Sequence, residues 1–320
     1  MNYIQEAFRG LHDIWRYIIG VVLIFIAWQV IGMIPLGVGL IIKVMGDSDV
    51  NFPKDISQMM DILGSNPFLL LMLLSFAFGL IGLFLTSKLI HKQSIRSLTT
   101  ARPKIDWKRF WFMFILWGVV SSAFVMLDYV MSPEDYQINF NLKPFLILAV
   151  IAILLIPLQT SFEEYFFRGY LMQGFGILFK NKWAPLLITS VGFGLMHIAN
   201  PEVEKLGPMI MVYYIGTGLM LGIMTLMDDG LELALGFHAA NNLFTALLVT
   251  ADWTAFQTHS ILKDMSDPDQ MGIMEIFVPV LVVFPILLFI LSKKYHWTNW
   301  KDKLFGVVTA PPKDDYKILD

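Results

Sequence analysis

The stretch PFLILAVIAILLIPLQTSFEEYFFR, residues 144–168, decides the fold. Its first part, 144–162, is almost wholly apolar, and the run ends on Glu163, Glu164 and Arg168. A spanning helix needs about 20 mostly apolar residues, so this segment reads as a membrane helix that continues past the acid pair. Ionisable groups at the centre of a bilayer cost roughly 2.5–3.5 kcal/mol each on insertion scales. They persist where they face a protein interior or a wet cavity, which makes them functional candidates.

The remainder of the chain agrees with this reading. Of its 320 residues, 56% are hydrophobic and 15% charged, with a mean hydropathy of +0.64. Soluble domains carry roughly 25% charged residues. The fold class expected is an all-α polytopic membrane protein of about eight transmembrane helices around a polar intramembrane active-site cavity. The apolar segments are 17–42, 67–90, 110–131, 144–162, 184–200, 208–227, 231–250 and 274–292. The first is long and is expected to be irregular at Pro35–Gly37. Three regions follow: 1–143 with three helices, 144–250 with four and with the intramembrane acids and histidines treated below, and 251–320 with the last helix and a polar tail. The first apolar stretch is long enough to anchor and does not read as a cleavable signal. The absence of cysteine excludes disulfides, thiolate metal sites and a cysteine nucleophile.

Charge sorts by loop. With the N-terminus inside, 18 of the 23 Lys and Arg fall on the inner side, including the basic loop Lys88–Arg109, Arg168, Lys313 and Lys317. Cytoplasmic loops carry such an excess. The expected location is the plasma membrane of a prokaryote, with both termini cytoplasmic. Trp107, Trp111, Trp183, Trp253, Trp297 and Trp300 flank the spans and read as interfacial anchors. Acids of the outer loops, such as Glu202, Glu204 and Asp269, read as solvated charge.

The polar residues inside the apolar segments carry the chemistry. Glu164 and Arg168 are i,i+4 and share a helix face. Glu163 points about 100° away, so the two carboxylates have different neighbours. The arrangement expected is a Glu164–Arg168 pair, with Glu163 facing the cavity. His197 follows one helical hairpin later, and consecutive elements are commonly neighbours. His238 and Asn242 are also i,i+4 and present an imidazole and an amide side by side, donors suited to an oxyanion. Asn241 points elsewhere and reads as interhelical glue. In the sixth segment, Gly218 and Gly222 are spaced to let helices approach closely.

These residues form three motifs: Glu163-Glu164-Tyr-Phe-Phe-Arg168, Phe193-Gly-Leu-Met-His197 and His238-Ala-Ala-Asn-Asn242. In that order they resemble the CAAX prenyl protease and bacteriocin-processing (CPBP, or Abi) family of intramembrane proteases, over roughly 144–250. The resemblance implies a glutamic endopeptidase acting on a membrane-associated peptide or protein in the lipid bilayer. Its substrates would be of CAAX type or peptide precursors. It further implies that Glu163 and His197 polarise a water, that His238 and Asn242 hold the oxyanion, and that Glu164 and Arg168 support the first helix. No cofactor is needed on this reading. Zinc is the alternative, with Glu163, His197 and His238 as its ligands, although no His-Glu-x-x-His motif is present. No nucleic-acid partner is expected. A non-catalytic scaffold or bacteriocin-immunity protein and a proton-coupled carrier are the competing functions.

Overall fold

The computed structural model describes residues 1–47, 49–268 and 272–312. Asp269, Lys313 and Lys317 lie outside them. Among the described residues, eight helices form the bundle: α1 (Ile14–Gly46), α2 (Ser65–Leu89), α3 (Trp107–Met131), α4 (Leu142–Phe179), α5 (Trp183–Leu195), α6 (Pro208–Asp228), α7 (Glu232–Leu248) and α8 (Ile273–Lys294). All but α5 and α7 are long and apolar enough to cross a membrane. At 13 and 17 residues, α5 and α7 span only about 20 and 26 Å at 1.5 Å per residue. The hydrocarbon layer is about 30 Å thick.

Two boundaries differ from the sequence expectation. Helix α5 stops at Leu195 rather than near residue 200: residues 196–199 form a turn in which His197 Nδ1 takes the Phe193 carbonyl that a continuing helix would bond, and Pro201 keeps Asn200 extended. The irregularity of α1 lies at Ile26–Ile31, a π-helical segment, followed by a turn at 32–33. Pro35 lacks an N–H and its ring crowds the preceding turn, so the distortion falls upstream of it.

Helix α7 packs on α3 and α4, α4 on α2, and α5 on α6. One core joins Met113 and Trp117 to Met220, Leu221, Met224 and Phe237. A second joins Trp28, Leu83, Phe162 and Tyr170. At one end, β1 (Tyr136–Ile138), β2 (Val249–Ala251) and β3 (Leu262–Asp264) form a small sheet in the order β1-β3-β2. It ties the segment after α3 to the segment after α7.

At the other end, Gln5 Nε2 donates to the Thr309 carbonyl at 2.9 Å. Here the α6–α7 turn is clamped by the basic loop. Leu231 N donates to the Thr99 carbonyl at 2.8 Å, and Ala101 N to the Asp229 carbonyl at 2.9 Å. Asp228 accepts from Arg102 and Arg109, both at 2.5 Å, and from Trp297 Nε1 at 3.0 Å. Arg96 pairs with the buried Glu6 at 3.0 Å. Much of the charge of this loop is therefore turned inward, and Trp297 is a buried donor rather than an interfacial anchor. Arg168, counted above with the inner loops, is fully buried inside α4.

His91 lies just beyond α2 and is 1% exposed. Its Nδ1 donates to the Leu11 carbonyl at 2.8 Å, leaving Nε2 to accept from the Tyr170 hydroxyl at 2.7 Å. Burial, aided by the Arg16 charge and opposed by the Leu11 contact, pushes this imidazole below the ordinary histidine range. The unfolded chain then binds the extra proton first. Stability is greatest above about pH 6.5 and is lost as the pH falls below it. The melting midpoint in detergent is expected to fall between about pH 8 and about pH 5.5 more in wild type than in His91→Gln. Equal slopes in the two proteins would count against His91 as the source.

Candidate active site

Helix α4 sets the site. After Glu164 it winds as a π-helix over Tyr165–Leu171, a local widening frequent at functional positions. Arg168 Nη1 donates to Glu164 Oε1 at 2.9 Å, and both side chains are fully buried. The guanidinium also donates to the Gly218 carbonyl at 3.2 Å and lies over the Phe193 ring at 4.2 Å. The pair read from the sequence thus fastens α4 to both α5 and α6.

Glu164 does more than hold Arg168. Its Oε1 also takes a hydrogen bond from His238 Nδ1 at 2.7 Å, across from α7. A carboxylate only accepts, so Nδ1 carries the proton. The other ring nitrogen, Nε2, stands 3.5 Å from Glu163 Oε2. One imidazole therefore lies between the two adjacent acids. Glu163 is the accessible one, 14% exposed at its side chain against 0% for Glu164. Its Oε1 accepts from Gln159 Nε2 at 2.7 Å, while its buried Oε2 has no hydrogen-bond partner.

His197 sits in the turn after α5. Its Nδ1 donates to the Phe193 carbonyl at 2.9 Å, which leaves Nε2 as the accepting nitrogen. The ring stacks on Tyr214 of α6 at 4.4 Å. Phe193 touches both imidazoles, with centroids 4.9 Å from His197 and 5.8 Å from His238. Among the described residues His197 forms no ion pair with a carboxylate. Asn242 faces the site and donates to Gln159 Oε1 at 3.2 Å. Asn241 accepts from Trp117 Nε1 and donates to Asn242, both at 3.1 Å. These contacts bring Glu163, Glu164, His238 and Asn242 together, and Phe193 links His197 to them.

Two partners escaped sequence reasoning. Gln159 is a single amide in an apolar run, and its only signal was the i,i+4 spacing to Glu163. The contact of His238 with Glu164 crosses between helices and has no local signature. For zinc, the donor set does not fit. Among the described residues no three His, Asp or Glu side chains are grouped to hold a metal ion, and Glu163, His197 and His238 form no such set.

Gly218 lets α6 meet α5. A Cβ there would stand 2.7 Å from the Ser190 carbonyl oxygen, a backbone atom that cannot turn aside. Gly218→Ala is expected to force the two helices apart and destabilise the protein by about 1–3 kcal/mol. Thermal unfolding in detergent measures this, and an unchanged midpoint would refute the close-contact argument.

Comparison with known proteins covers the same region. Residues 142–244 match the family model described as Rce1-like, type II CAAX prenyl endopeptidase. A Bacillus subtilis (strain 168) protein named "Uncharacterized protein YyaK" is 32% identical over 251 residues, which is 78% of this chain and 83% of that protein. No solved structure matches the chain. All three motifs fall within the matched stretch, and the relative aligns over most of both chains; this protein belongs to the Rce1-like, CAAX-type protease family.

Proposed function

We propose that this protein is an intramembrane endopeptidase that hydrolyses a peptide bond by a water activated at Glu163 and His197. The observation that carries this reading is the unequal treatment of two adjacent acids. Both keep a buried Oε2 without a hydrogen-bond partner, but Glu164 is fully buried with its Oε1 held by Arg168 and His238, whereas Glu163 is partly exposed and its free Oε2 stands 3.5 Å from an imidazole nitrogen. A general base needs a free lone pair within reach of the proton it takes.

The steps follow from the donors and acceptors present. A water hydrogen-bonds to Glu163 Oε2 and His197 Nε2. Glu163 takes its proton as the oxygen attacks the scissile carbonyl carbon. The resulting oxyanion accepts hydrogen bonds from His238 Nε2 and from the second N–H of the Asn242 amide. Since His238 Nδ1 already donates to Glu164, Nε2 donates only as the imidazolium. Glu163 then returns its proton to the leaving amine as the C–N bond breaks.

The substrate is a membrane-associated peptide or protein, either of CAAX type or a peptide precursor. The setting is the plasma membrane of a prokaryote with both termini cytoplasmic, consistent with the Gln5–Thr309 contact and the inner excess of Lys and Arg. The test compares peptide termini in cells expressing wild type or Glu163→Gln at matched levels. New termini that depend on Glu163 support proteolysis. Identical profiles, with membrane peptides well sampled, would move the reading to a scaffold or immunity protein.

A further inference from the structure

Five side chains on three helices form one continuous chain of hydrogen bonds that ends on Glu163. Trp117 Nε1 of α3 donates to Asn241 Oδ1 of α7 at 3.1 Å. Asn241 Nδ2 donates to Asn242 Oδ1 at 3.1 Å. Asn242 Nδ2 donates to Gln159 Oε1 of α4 at 3.2 Å. Gln159 Nε2 donates to Glu163 Oε1 at 2.7 Å.

The two ends set the direction of everything between them. An indole N–H can only donate, and an ionised carboxylate can only accept. Each amide must therefore show its oxygen toward Trp117 and its nitrogen toward Glu163. Turning any one of the three would set like poles together at both of its links. Trp117 and Gln159 are 6% and 5% exposed, so water offers them little alternative. The last link, to a charged acceptor, belongs to the stronger class of hydrogen bond.

We infer that Gln159 is a positioning residue for Glu163, and that the amide chain behind it selects which carboxylate oxygen acts as the base. With Oε1 held by a donor, a proton arriving at Glu163 is directed to Oε2, the oxygen beside His238. The chain also fixes the side-chain torsion of Glu163, so that Oε2 faces the site. The catalytic part of this inference rests on the endopeptidase reading above; the hydrogen-bond part does not.

Two measurements keep those parts separate. The first is infrared spectroscopy of 13C-glutamate-labelled protein in detergent, where the band lost in Glu163→Gln identifies the Glu163 carboxylate. In Gln159→Met, which keeps length but cannot donate, that band is expected to shift. It is expected to shift by a smaller amount in Trp117→Phe, which removes only the far donor. An unmoved band in Gln159→Met would overturn the proposal, and an unmoved band in Trp117→Phe would overturn the relay beyond Gln159. The second uses a fluorogenic prenylated CaaX-type peptide. Gln159→Met is expected to lower kcat by about 10- to 100-fold, the scale of an active group misplaced by an ångström, with little change in KM. A rise in KM at constant kcat would overturn the positioning role. A wild-type protein inert on this peptide would count against the substrate class, while the infrared result would still decide the relay.

Discussion

Glu163→Gln is expected to lower peptide cleavage by about 10²–10⁴-fold, the usual contribution of a general base. The replacement is nearly isosteric. Gln159 Nε2 can still donate to the amide oxygen at position 163, so the local contact survives. What is lost is the basic oxygen, since an amide nitrogen in place of Oε2 can take no proton from water. The folded protein should therefore be recovered at wild-type yield and melt within a degree or two of wild type, because the change leaves no buried charge unpaired. Turnover of a cleaved peptide, measured beside a melting curve in the same detergent, checks both halves. Wild-type turnover in the variant would remove Glu163 from the mechanism. A collapse in melting temperature would instead show that it is needed for folding.

The second large effect concerns stability. Arg168→Ala leaves Glu164 fully buried with only His238 as a partner, and Glu164→Ala leaves a buried guanidinium facing one carbonyl. Breaking a buried ion pair from one side costs about 3–5 kcal/mol, because the remaining charge stays in low dielectric without compensation. Each single variant should give a low yield of folded protein and a strongly reduced unfolding midpoint. The double replacement Glu164→Ala/Arg168→Ala should be less destabilised than the sum of the two singles, since no charge is then stranded. Full additivity would show that the two side chains act independently. Activity falls in Glu164→Ala and in the double variant, because His238 loses the acceptor that orients it.

Much of this was readable from the chain, and the limits were physical. The eight apolar runs are all helices, because a bilayer leaves the backbone few other ways to satisfy its polar groups. The Glu164–Arg168 pair was readable because it is local, four residues apart on one helix. Gln159 was not, because its importance comes from Asn242, which lies 83 positions away in sequence. The end of α5 was misread for a different reason. Residues 196–199 are apolar enough to extend the helix, and only Pro201 signalled the stop. Arg168 was counted with the loops because a charge tally reads position along the chain and cannot see a buried partner. Trp297 looked like an interfacial ring because its acceptor, Asp228, is contributed by a distant turn.

Helix α5, with 13 residues, reaches only about two-thirds of the way through a bilayer of ordinary thickness. Lipid beside a short hydrophobic segment thins to match it. Hydrolysis inside a membrane must be supplied with water, and His197 stands where this helix gives out. On the endopeptidase reading, a bilayer thinned beside α5 is expected to bring the aqueous phase toward the imidazole, and turnover is expected to fall when the same polypeptide is placed in longer-chain lipid.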